Sequence, residues 1–172
     1  MLLRGLDPVD ASAATIVFAA CPVIVLGAGS SRPGSSLRDA ALLVVETGLV
    51  ATCTARSPRG SRVVVLEGGP GTITPVPGPD GLLRALADSR VTAIPASLQD
   101  RLVASPAVGR LLVDGLTASL RKVQHNLDRL GCLGRADDRI RLKLLELALD
   151  YGRVGSEAVR IDCRLRTSSW PR

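Results

Sequence analysis

Aromatic side chains are nearly absent from this 172-residue chain: one Phe, one Tyr and one Trp, 2% of the total. That argues against single-stranded nucleic acid binding through stacked bases, which needs several aromatic platforms. The core must instead be built from Val, Leu, Ile and Ala, and at 46% hydrophobic residues there is enough of them. Lysine is equally scarce. Lys122 and Lys143 are the only two, so arginine carries nearly all the positive charge. The net charge is +6, yet no run of five basic residues occurs. The charge therefore reads as a solvated surface as readily as a patch for nucleic acid or an anionic membrane. Cys21, Cys53, Cys132 and Cys163 form no CxxC pair, which argues against a zinc or iron–sulfur site, and no cofactor is expected. Cys21 and Cys53 sit in apolar runs and read as small core residues. No apolar run reaches the ~18 residues of a membrane span. The first ten residues, "MLLRGLDPVD", lack the continuous apolar stretch of a signal peptide. The expectation is a cytosolic protein with reduced thiols and no membrane partner, one domain or a small domain with an appendage.

What is present divides the chain. Residues 10–20, "DASAATIVFAA", predict a short helix with Asp10 at its N-cap. Short apolar segments follow: "PVIVL" (22–26), "ALLVVETG" (41–48), "LVATCTA" (49–55), "RVVVLEGG" (62–69) and "DSRVTAIP" (88–95). Clusters of Gly, Pro, Ser and Arg bound them, and 54–62 reads as a hairpin turn around Gly60. This is the punctuation of antiparallel sandwiches and barrels. From Ser97, read as a cap, the period turns helical: a short helix, then a long one opened by Pro106 and ended near 130–134. Another helix is expected over 136–152, with Asp137 and Asp138 favourable to its dipole, and a strand over 159–167.

Two motifs carry chemical suggestions. "VIVLGAGSSRPG" resembles the strand and phosphate loop of a dinucleotide fold, with Glu46 at the place of the ribose-binding acid. The helix that must follow would contain Pro33, Gly34 and their flanking serines, and Arg32 stands at the third glycine position. Without a helix N-terminus a pyrophosphate has no dipole to hold it. The stretch is read as a strand entering a surface turn, and an enzyme is not expected. The second motif is the seam Val113, Leu116, Leu120, Val123, Leu127 and Leu130, spaced as a heptad stripe. Such a stripe either pairs two copies or packs on its own β domain.

The layout as a whole resembles the catabolite activator / fumarate-nitrate regulator (Crp/Fnr) family. The resemblance rests on "LLVVETGLVATCTARSPRGSRVVVLEGGPG" (42–71), "LRALADSRVTAIPASLQDRLVASPAVGRLLVDGL" (83–116) and "DDRIRLKLLELALDYGRVGSEAVRIDCRLR" (137–166). It implies an α+β chain: a cyclic-nucleotide-binding-like antiparallel β-roll (jelly roll) over 1–105, a dimerisation helix over 106–134, and an incomplete winged-helix DNA-binding domain over 135–172. A homodimer through the heptad seam is implied, and a heterodimer with a full-length relative is conceivable. The region 72–89 lacks the family's Gly-Glu pair, and Pro79 stands near the place of its phosphate-binding arginine. Cyclic AMP binding is therefore expected to be lost, because a buried phosphate without its arginine is poorly compensated. Arg84 could still reach an anion, and Gln124 and His125 fall where family members contact the ligand base. On a surface reading, those two are simply helix residues. The chain reaches only the threshold of a helix-turn-helix, so Arg160, Arg164 and Arg166 could touch DNA phosphates without specifying sequence, or stand solvated on a strand. The functional expectation is a Crp/Fnr-like regulator or a remnant of one. A stand-alone sensor of small molecules or anions is the alternative.

Overall fold

A computed structural model describes residues 8–53, 64–132, 136–156 and 158–161. Two four-stranded antiparallel sheets face each other. The first has the order β1 (Val23–Leu26), β8 (Ser89–Pro95), β3 (Ala40–Thr47), β6 (Ile73–Pro75). The second has the order β2 (Ser31–Pro33), β7 (Leu82–Ala85), β4 (Val50–Cys53), β5 (Val64–Gly68). Four helices complete the described chain: α1 (Pro8–Ala19), α2 (Ala96–Val103), α3 (Pro106–Cys132) and α4 (Ala136–Tyr151). A small hairpin, β9 (Gly152–Val154) with β10 (Val159–Ile161), follows α4. This is the β-roll with a long helix that the sequence led us to expect.

Strand alternation explains the apolar run in β3. Leu43 and Val45 point inward to a cluster with Ile24, Leu26, Leu83 and Val91 between the sheets. Leu42 and Val44 point outward to Ile73, Ile94, Val108 and Leu112, under the helices. A strand covered on both faces has no polar side to show, so it reads as a continuous apolar run. A third cluster, Leu49, Ala51, Leu86 and Leu147, joins the outer face of the second sheet to α4. Cys21 and Cys53 are buried, and burial raises the Cys21 pKa.

The Gly-Ala-Gly stretch is a turn between β1 and β2. Gly29 sits at φ 84, open to glycine at little cost. Its N–H donates to the Ala85 carbonyl at 2.8 Å, Ala28 N–H to Asp88 Oδ1 at 2.7 Å, and Ser30 N–H to the Gly27 carbonyl at 2.9 Å. The donors a phosphate would need are already used, and only a four-residue 3-10 turn, Gly34–Leu37, follows.

Several local expectations are corrected. The first helix starts at Pro8, so Asp10 lies inside it; proline's fixed φ suits a first helical turn. Ser97 lies inside α2, which begins at Ala96 after an extended Pro95, with the Ala96 N–H donated to the Asp39 carbonyl. Strands β2, β6, β7 and β9 are additional to the expected set. The expected turn over 54–62 lies outside the described residues, as does the strand beyond Ile161 with Arg164 and Arg166.

Candidate functional site

Helix α3 packs against β6 and β5, and between it and the roll lies a cavity of about 630 Å³. Sheet residues Thr52, Cys53 and Leu66, the segment from Thr74 to Gly81, and Leu116, Ser119, Leu120 and Val123 of α3 line it. That size suits a small organic ligand. The lining is mainly aliphatic. Thr52 Oγ1 donates to the Leu66 carbonyl, Thr74 Oγ1 to the Pro75 carbonyl and Ser119 Oγ to the Ile73 carbonyl. The hydroxyls thus already have acceptors within the protein. Among the described lining residues Asp80 is the single charged side chain.

Helix α3 is held close to the first sheet by small residues. Gly115 packs against Ile73, and Ser119 bonds its carbonyl. This orientation splits the heptad seam. Leu116 and Val123 are half-buried along the cavity. Val113, Leu120 and Leu127 stand outward, 61%, 58% and 53% exposed. The Leu130 side chain lies outside the described residues. Leu120 belongs to both surfaces: it lines the cavity and stands in the exposed row.

The residues expected to touch an effector do not gather at this cavity. Arg84 pairs with Ala51 across β7 and β4, while the neighbouring pair Leu83–Thr52 faces the cavity side. Alternation therefore puts Arg84 on the outer face of the second sheet. Gln124 is exposed, and His125 lines a second, polar cleft of about 160 Å³.

That polar cleft lies where β5, α3 and α4 meet. Lys143 Nζ donates to Glu67 Oε2 at 2.8 Å and to Glu146 Oε2 at 3.3 Å. Lys122 Nζ donates to Asp150 Oδ2 at 2.7 Å and to the Tyr151 hydroxyl at 3.3 Å, and lies 5.2 Å from the Tyr151 ring centroid. Burial alone would lower the Lys122 pKa. Its hydrogen bonds and charge interactions with Asp150 and Tyr151 outweigh that and hold it above the ordinary lysine value. Sequence reasoning found neither cleft, because the residues that line each come from separate elements and share no motif.

No family model matches the sequence. No curated protein matches it either. Solved structures do. A CooA mutant from Carboxydothermus hydrogenoformans superposes with a TM-score of 0.61 at 16% identity, covering 84% of this chain and 91% of that one. The c-di-GMP-responsive global regulator CLP of Xanthomonas campestris gives 0.61 at 18% identity, covering 80% and 72%. A CRP/FNR-family transcriptional regulator from Thermus thermophilus gives 0.58 at 20% identity, covering 80% and 71%. The fold is thus that of Crp/Fnr transcriptional regulators. Among the described residues, no helix is long and apolar enough to cross a membrane.

Proposed function

We propose that the protein is a dimeric, ligand-responsive transcriptional regulator of the Crp/Fnr type, a binding protein and not an enzyme. The observation that carries the reading is the double position of Leu120, in the cavity wall and in the exposed row with Val113 and Leu127. Pairing two copies of α3 along this row removes three apolar side chains per copy from water, each worth about 1.5–3 kcal/mol when fully buried. A molecule in the cavity then touches a residue of the dimer seam directly. DNA enters the reading as the partner through the resemblance, which assigns α4 and β9–β10 to the start of a winged-helix module.

The ligand is not cyclic AMP. Pro75, Pro77 and Pro79 have no N–H to offer a phosphate. The Gly81 N–H is committed to the Gly78 carbonyl at 2.7 Å, and Asp80 adds a charge of the wrong sign. A neutral or weakly polar molecule fits the lining better.

Light scattering on a sizing column tests the dimer. The wild type should run at twice the mass of the chain and Leu120→Lys at the mass of one. A monomeric wild type refutes the reading. Titration calorimetry with cyclic AMP should show no micromolar binding. An electrophoretic shift assay at low and physiological salt separates sequence-specific DNA binding from diffuse attraction. Loss of every shift at physiological salt favours the second reading, a sensing module without DNA, which the cavity alone supports.

A further inference from the structure

Three of the residues that line the cavity carry a hydroxyl and one carries a carboxylate. A hydroxyl has one proton and two lone pairs. Thr52 spends its proton on the Leu66 carbonyl at 3.4 Å, Thr74 on the Pro75 carbonyl at 3.2 Å, and Ser119 on the Ile73 carbonyl. A carbonyl can only accept, so the direction of each bond is fixed. What these hydroxyls still offer is lone pairs. Asp80 adds a carboxylate, which when ionised only accepts and takes about four hydrogen bonds.

Donors are scarce on the same walls. Pro75, Pro77 and Pro79 remove three N–H groups from the segment between Thr74 and Gly81, and the Gly81 N–H goes to the Gly78 carbonyl. No Lys, Arg or His stands among the described lining residues. Lys122 and Lys143 open on the polar cleft instead, each already paired with a carboxylate. The cavity thus combines aliphatic surface with side-chain acceptors.

In solution, water covers those lone pairs. A ligand without a donor displaces that water and replaces none of its bonds; a ligand that donates restores them. An anion would meet acceptors and a charge of its own sign. A cation would leave water for a wall that is mainly aliphatic, at a high desolvation cost.

We propose that the cavity selects an uncharged apolar molecule carrying a hydroxyl or N–H group, and that hydrogen-bond donation by the ligand sets its specificity. This rests on the reading of the cavity as the ligand site. Sites built to hydrogen-bond a ligand group reject the analogue that lacks it, because their own polar atoms are then left unpaired.

N-phenyl-1-naphthylamine, an uncharged dye whose fluorescence rises in apolar sites, reports occupancy. Its displacement from the full chain is measured with three compounds built on one ring. 1-Naphthol donates, 1-methoxynaphthalene has its donor capped, and 1-naphthoate is an anion. 1-Naphthol should displace the dye at a concentration about tenfold below either of the others. Asp80→Ala combined with Thr52→Val removes the carboxylate and one hydroxyl, and should narrow both gaps. Asp80 is exposed and valine keeps the shape of Thr52, so the fold is retained. Equal displacement by 1-naphthol and its methyl ether, or stronger displacement by 1-naphthoate, overturns the proposal and leaves the cavity reading intact. Gaps unchanged in the double variant do the same. Val123→Phe narrows the same space and should weaken the dye and all three compounds alike. If it does not, or if neither the dye nor 1-naphthol (followed by calorimetry) binds the wild type, the cavity reading itself fails and the proposal falls with it.

Discussion

A β-carbon on Gly115 would lie 2.6 Å from Cδ1 of Ile73 and 3.0 Å from its Cγ1. Ile73 is 1% exposed and packed in a cluster with Leu42, Val44, Ile94, Val108 and Leu112. The glycine is thus what lets α3 approach β6 closely, with Ser119 one turn further on bonding the Ile73 carbonyl. Gly115→Val should push the helix away and cost about 1–3 kcal/mol through overpacking, despite valine's better helix propensity. The midpoint of denaturant unfolding measures it.

Gly48 sits at φ 86, and a β-carbon there would strike the Asp88 carbonyl and the Ser89 hydroxyl. The Ser89 hydroxyl is held in place, donating to the Ala87 carbonyl at 2.6 Å and accepting from the Leu49 N–H at 3.1 Å. Gly48→Ala should therefore destabilise by about 1–3 kcal/mol, the usual range for a strained backbone site. Thermal unfolding followed by circular dichroism checks this. Gly78, where a β-carbon meets open space, is the control and should tolerate alanine.

Leu83 is fully buried between the sheets. Leu83→Ala should cost about 2–5 kcal/mol, transfer plus cavity. Val25 on β1 is 67% exposed, and Val25→Ala should change stability little. A pair of chemical denaturation curves compares the two, and equal losses would contradict the inward facing of β7.

The Glu46 carboxylate accepts from Thr92 Oγ1, which lowers its pKa; partial burial opposes this, and Arg90 at 3.2 Å lowers it further. A carboxylate whose folded pKa is depressed contributes stability that is present above its unfolded pKa and is lost as pH falls through the folded value. Thr92→Val should move the Glu46 titration upward and narrow the acid-side stability window. Carboxyl chemical shifts followed over an NMR pH titration report it; an unchanged midpoint would count against the contact.

The sequence by itself determined the elements whose period is long enough to read. The apolar runs of β1, β3 and β8 and the spans of α3 and α4 stand in the residue pattern, since repeated burial on one face forces a repeat in polarity. Strands β2, β6 and β7, with "SRP", "ITP" and "LLRA", are too short to show a period. Pairing with neighbours, not local preference, makes them strands. The tertiary structure alone decided which side of α3 meets the roll. Its docked face runs through Val108, Leu112, Gly115, Ser119 and Asn126, partly small or polar and so invisible to a search for apolar stripes. Of the visible stripe, Val113, Leu120 and Leu127 are left in solvent, and Leu116 and Val123 are half-buried along the cavity. Close approach of backbones selects small residues and polar bonds, and that requirement arises only once helix and sheet are in contact.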